Sequence, residues 1–66
     1  MSLSLADMKA LYVGLSATVD SPLVPNNFTG VVLNVRLDTD NTILIVVEDG
    51  DGDVFDIPIE DVELDI

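Results

Sequence analysis

The chain has 66 residues, of which 48% are hydrophobic, and its thirteen carboxylates and two cations give a formal net charge of −11 at pH 7. A chain of this length forms one small domain that buries only about 60% of the surface exposed by its unfolded form. Because cysteine and histidine are absent, disulfides, thiolate zinc sites and the usual general base are excluded. With Lys9 and Arg36 as the only cations, direct binding to nucleic acid or to an anionic membrane is not expected.

Length and hydropathy also bear on location. No stretch approaches the roughly 18 apolar residues of a membrane span, and Met1 to Leu5 lack the basic start and long apolar run of a secretory signal. A chain this rich in Val, Ile and Leu is not typical of a disordered acidic tail. We therefore expect a soluble, cytoplasmic protein with a single domain over residues 1–66.

Residues 4–12 predict a short N-terminal helical turn. Ser4 can cap it, with Asp7 at the third position of a capping box, and Gly14 is the expected stop. The helix would present four apolar side chains on one face: Leu5, Met8, Leu11 and Tyr12.

From Leu15 onwards the apolar residues alternate, which is typical of β-strands. The expected strands are residues 15–19, 28–37, 42–47, 53–59 and 63–66, with a polar corner at 60–62. Two prolines prevent regular pairing of "SPLVPNN". In the second strand the alternation predicts an inward set of Val31, Leu33, Val35 and Leu37.

Residue parity predicts two hairpins. Residues that face each other across an antiparallel pair lie on the same face of the sheet. Two facing pairs follow from this rule: Val47 opposite Phe55, and Leu37 opposite Ile43. Two three-residue loops then remain, 39–41 and 50–52, and their last residues, Asn41 and Gly52, both tolerate the left-handed conformation that such loops require.

Five short strands with tight turns and a one-turn corner before the last strand resemble the SH3-like small β-barrels, in particular the Tudor and KOW branch. The resemblance covers residues 14–66 and rests on "GLSATV", "FTGVVLNV" and "VFDIPIEDVEL". It implies a mostly β domain, either a five-stranded SH3-like barrel or a strongly bent antiparallel sheet. Family members often bind peptides or nucleic acid. The chain has only three aromatic residues, Tyr12, Phe28 and Phe55, so we do not expect the aromatic cage with which some Tudor domains bind methylated side chains. Its loops are acidic, so we do not expect the RNA binding of KOW domains.

The segment "EDGDGDVFD" raises the question of a calcium loop. Asp49, Asp51 and Asp53 stand at positions one, three and five of a twelve-residue count that ends at Glu60, as in an EF-hand. Val54 occupies the position where that loop needs glycine. The residues after it alternate as in a strand, whereas an EF-hand loop is followed by a helix. We therefore expect the tip of a hairpin, with no cofactor beyond weak calcium binding at the three aspartates.

The sequence predicts no enzyme, because nucleophile–histidine sets are impossible without histidine. A non-catalytic protein-interaction or assembly module with an acidic surface is expected. Its candidate surface is the outer face of the central strand, where the alternation places five apolar residues: Val32, Leu44, Val46, Val54 and Pro58. Three elements are candidates to cover this apolar face: the N-terminal helix, a second copy of the chain, or a basic protein partner. Two further functions also stay open, an acidic nucleic-acid mimic that binds a basic protein, and a weak calcium-binding protein.

Overall fold

The computed structural model describes residues 3–65, which form one helix, five strands and a 3₁₀ turn. The elements are α1 Leu5–Tyr12, β1 Ser16–Val19, β2 Phe28–Leu37, β3 Ile43–Glu48, β4 Val54–Pro58, the 3₁₀ turn Ile59–Asp61 and β5 Val62–Leu64. All strand pairs are antiparallel, and the order in the sheet is β4-β3-β2-β1-β5. The predicted mostly β fold is confirmed as one five-stranded sheet, which is not closed into a barrel because β4 and β5 lie at opposite edges.

Helix α1 begins where the capping box predicts. The Asp7 N–H donates to Ser4 Oγ at 3.1 Å, and the Ser4 N–H donates to the Asp7 carboxylate at 3.4 Å. Leu5, Met8 and Tyr12 pack against the core, whereas Leu11 is exposed. With eight residues in α1, the described part of the chain has no helix of the length and apolarity that crossing a membrane requires.

The core lies on the face of the sheet that α1 covers. Its buried members are Ala17, Val19, Val24, Val32, Val35, Ile45, Val47 and Ile57. Val24 comes from the proline-rich segment, which turns inward at buried Ser21: the Leu23 N–H donates to Ser21 Oγ and the Val24 N–H donates to the Ser21 carbonyl. Each fully buried aliphatic side chain contributes roughly 1.5–3 kcal/mol, so this small set provides most of the stability.

Both predicted hairpins have the expected register. Val47 lies opposite Phe55 and Leu37 lies opposite Ile43. The three-residue loops end at Asn41, with φ of 67°, and Gly52, with φ of 86°. Ile66, the last residue of the predicted strand 63–66, lies outside the described residues.

The predicted inward set of β2 is wrong at Val31 and Leu33. Val35 is buried, but Val31, Leu33 and Leu37 are each more than 40% exposed. The reason is a β-bulge: Val32 and Asn34 oppose the consecutive residues Val47 and Val46, so Leu33 is an extra residue without a partner. Before the bulge the even-numbered residues of β2 point inward. Leu37 follows the expected parity but lies at the exposed end of the hairpin.

Candidate functional site

The bulge also corrects the predicted interaction surface. Val32, assigned to the outer face, is 1% exposed and belongs to the core. Leu44, Val46, Val54 and Pro58 do share the outer face, because Leu44 pairs with Pro58, and Val46 pairs with Asp56 next to it. Val54 is exposed, and Val46 and Pro58 are half-buried.

Leu44 is only 8% exposed although it lies outside the core cluster. An ion pair lies on the two strands beside it. Arg36 on β2 lies beside Leu44, and Asp56 on β4 lies beside Val46. The Arg36 guanidinium donates to Asp56 Oδ2 at 2.5 Å, so the pair crosses β3 diagonally between these two side chains. Hydrogen bonding to Asp56 raises the pKa of Arg36, and the charges of Asp56 and Asp38 add to the effect.

The helix does not cover this outer face. Its apolar side chains pack against the core cluster on the opposite face of the sheet, so the first of the three predicted covers is wrong. The outer surface of the β3–β4 hairpin therefore presents Val54, Val46 and Pro58 to solvent around one exposed ion pair, whose side chains are 46% and 43% accessible.

The turn at 49–53 is held by one carboxylate. Asp49 Oδ1 accepts the backbone N–H groups of Asp51 and Asp53, both at 2.9 Å. This use of a side chain to hold its own turn is common for aspartate. Within residues 3–65 the structure contains no group of three or more His, Cys, Asp or Glu placed to hold a metal ion. The arrangement explains the aspartate at 49 by turn geometry alone.

Beside this turn lies an open cavity of about 350 Å³. Its walls are the proline-rich segment and the start of β4: Val24, Pro25, Asn26, Asn27, Phe28, Asp49, Asp51, Asp53 and Phe55. The rings of Phe28 and Phe55 are 5.2 Å apart, centroid to centroid, and are tilted by 47°. The three candidate metal ligands thus line one cavity together with two aromatic rings.

Phe28 at the cavity, and Asp56 as the partner of Arg36, are not among the residues that the sequence predicts for this hairpin. Phe28 reaches the cavity because the proline-rich segment folds inward before it. Nothing local in the sequence predicts that approach. The Arg36–Asp56 pair could have been found, since the two predicted registers place Arg36 beside Leu44 and Asp56 beside Val46.

Comparison with protein-family models, with curated proteins and with solved structures finds no match to this chain. The function is therefore argued from the geometry alone.

Proposed function

We propose that this protein is a non-catalytic docking module of the cytoplasm, which binds a basic protein partner through its β3–β4 hairpin. The observation that carries the proposal is the concentration of negative charge there. Five of the thirteen carboxylates of the chain lie in this hairpin, between residues 48 and 56, and two more follow it in the 3₁₀ turn. The nearest cation, Arg36, is already engaged by Asp56.

The hairpin combines this charge with apolar surface. Val54 is 52% exposed, and it lies between the acidic turn and the exposed ion pair. Contacts of this kind suit a basic surface, because opposite charges steer the partner and set its orientation while apolar contacts add affinity. A second copy of the chain is the weaker candidate, since two molecules of net charge −11 repel each other.

The resemblance to SH3-like small barrels is kept as a proposal for the fold family. The position of β5 beside β1 and the 3₁₀ turn before β5 support it. Nucleic-acid mimicry and weak calcium binding stay predictions.

The proposal is tested with two variants that each lose two carboxylates. The hairpin variant carries Asp51→Asn and Asp53→Asn, and the control variant carries Asp20→Asn and Asp65→Asn on the β1–β5 side. All four side chains are exposed, so both variants should fold. The probe is a capped peptide in which lysine alternates with threonine, and its affinity is measured by calorimetry at low and at physiological ionic strength.

We expect the hairpin variant to bind the peptide at least about tenfold more weakly than the wild type, and the control variant to bind it within about threefold. Equal losses in the two variants would mean that the peptide responds only to net charge. That result would contradict docking at the hairpin.

A further inference from the structure

The outer edge of β4 is free, and its backbone groups can be assigned. The Asp49 N–H donates to the Asp53 carbonyl at 2.9 Å, which marks these two residues as a hydrogen-bonded pair. Hydrogen-bonded and non-hydrogen-bonded pairs alternate along an antiparallel ladder. Phe55 and Ile57 therefore turn their backbone groups towards β3, whereas Val54, Asp56 and Pro58 turn theirs away from the sheet.

No strand of the described chain reaches those outward groups, because β4 pairs only with β3. They comprise the N–H and C=O groups of Val54 and Asp56, because Pro58 has no N–H and caps the 3₁₀ turn that follows. Proteins usually blunt such an edge with proline, charge or shortness. Here Pro58 removes a single donor at the far end of the strand, and the other edge strand, β5, has three residues against five in β4.

The charges at both ends of β4 select what can pair with it. Asp51 and Asp53 precede the strand, Glu60 and Asp61 follow it, and none of the four forms an ion pair within residues 3–65. A second copy of the chain would bring the same carboxylates to the shared edge. An extended segment with lysine or arginine would instead place positive charge between two acidic ends.

The cavity beside the turn lies where such a strand would direct a side chain. Successive side chains of a strand point to opposite faces, so those beside Phe55 point to the face on which the cavity opens. A lysine or arginine there would lay its aliphatic stem along the rings of Phe28 and Phe55 and bring its charge to Asp51 and Asp53.

We propose that an extended basic segment of a partner protein adds to the free edge of β4 as a sixth strand and places one lysine or arginine side chain in the cavity beside Phe55. The proposal rests on the proposed function and names its mode of binding. Main-chain hydrogen bonds to Val54 and Asp56 would supply affinity, and the cavity would supply specificity.

The test separates backbone pairing from charge. Val54→Pro removes an outward N–H without breaking the β3–β4 ladder, as proline is tolerated where the N–H faces away from the sheet. Val54→Ala is the matched control, because it keeps that N–H and loses only the side chain. The probes are the lysine–threonine peptide and the same peptide with its threonine nitrogens methylated, which keeps every charge but cannot pair on that edge.

We expect Val54→Pro to bind the unmodified peptide at least about tenfold more weakly than Val54→Ala, because both variants lose the valine side chain and only proline lacks the N–H. The methylated peptide should bind the wild type as weakly as the unmodified peptide binds Val54→Pro. Amide exchange at Val54 and Asp56 should slow on addition of the unmodified peptide.

Two results would overturn strand addition: equal affinity of the methylated and unmodified peptides for the wild type, or unchanged exchange at Val54 and Asp56 when the peptide is bound. The methylated peptide needs no variant, so the outcome does not depend on the folding of Val54→Pro. Should the hairpin charge variant lose binding while the methylated peptide binds normally, docking at the hairpin would stand and strand addition alone would fail.

Discussion

The two hairpin turns have the same backbone plan but are held in different ways. In each, a facing pair is joined by one backbone bond, Asp38 N–H to the Thr42 carbonyl at 2.8 Å and Asp49 N–H to the Asp53 carbonyl at 2.9 Å. In each, the last loop residue is left-handed. In the first turn two different carboxylates each accept one backbone N–H: Asp38 accepts that of Thr39, and Asp40 accepts that of Thr42. In the second turn a single carboxylate, Asp49, accepts two backbone N–H groups.

This difference shows which residues each turn depends on. The β3–β4 turn has one carboxylate as its anchor and a glycine in the strained position, whereas the β2–β3 turn divides the same work between two carboxylates and uses an asparagine. The β3–β4 turn should therefore be the more sensitive of the two to single substitutions, and three changes test this difference.

The largest effect is expected at Gly52. Its φ of 86° suits glycine, and a Cβ there would meet no atom within 4 Å, so a substitution is opposed by backbone strain alone. Gly52→Val should destabilise the protein by about 1–2 kcal/mol. Gly52→Asn should cost distinctly less, because Asn41 holds the equivalent position in the other turn. Chemical denaturation measures both, and equal losses for valine and asparagine would show that the two turns are not equivalent.

A smaller effect is expected from the anchoring carboxylates. Asp49→Ala removes the acceptor of two backbone N–H groups and should lower the free energy of unfolding by about 1 kcal/mol. Asp38→Ala removes the acceptor of one N–H and serves as the matched control, with a smaller expected loss. If Asp38→Ala were the more damaging variant in urea titrations, the single-anchor description of the second turn would be wrong.

The smallest effect concerns acid sensitivity of the first turn. Hydrogen bonds from Thr42, first from its side chain and then from its backbone, hold the pKa of Asp40 below its ordinary value of 3.8. A carboxylate whose pKa is lowered by folding stabilises the protein above the ordinary value and loses that contribution as the pH falls through the folded one. Asp40→Asn should therefore be slightly less stable than the wild type near neutral pH, and the gap should close as the pH falls through the lowered pKa of Asp40. A gap that stays constant across unfolding curves in this range would contradict a role for the Asp40 charge.

What the sequence predicts well is local. Ser4 with Asp7, the left-handed positions at Asn41 and Gly52, and the register between Val47 and Phe55 each depend on a few neighbouring residues and on parity. All of them agree with the structure.

What the sequence does not predict depends on where one extra residue is absorbed. In the "VVL" run of Val31, Val32 and Leu33 every residue is apolar, so either face could be the inner one, and the extra residue Leu33 does not differ in polarity from its two predecessors. The sequence does not predict the cavity either, because the cavity depends on how the proline-rich segment folds back over the core. Of the residues predicted on the outer face, Leu44, Val46, Val54 and Pro58 lie there, whereas Val32 lies in the core.

The bulge also determines how the length of β2 can change. Because Leu33 has no partner on β3, a chain without it would still pair Val32 with Val47 and Asn34 with Val46, and every side chain would keep its face. Inward-pointing and outward-pointing side chains would then alternate without interruption from Phe28 to Leu37. Leu33 is therefore the residue at which this strand can lose one amino acid while α1 and the core stay on the same side of the sheet.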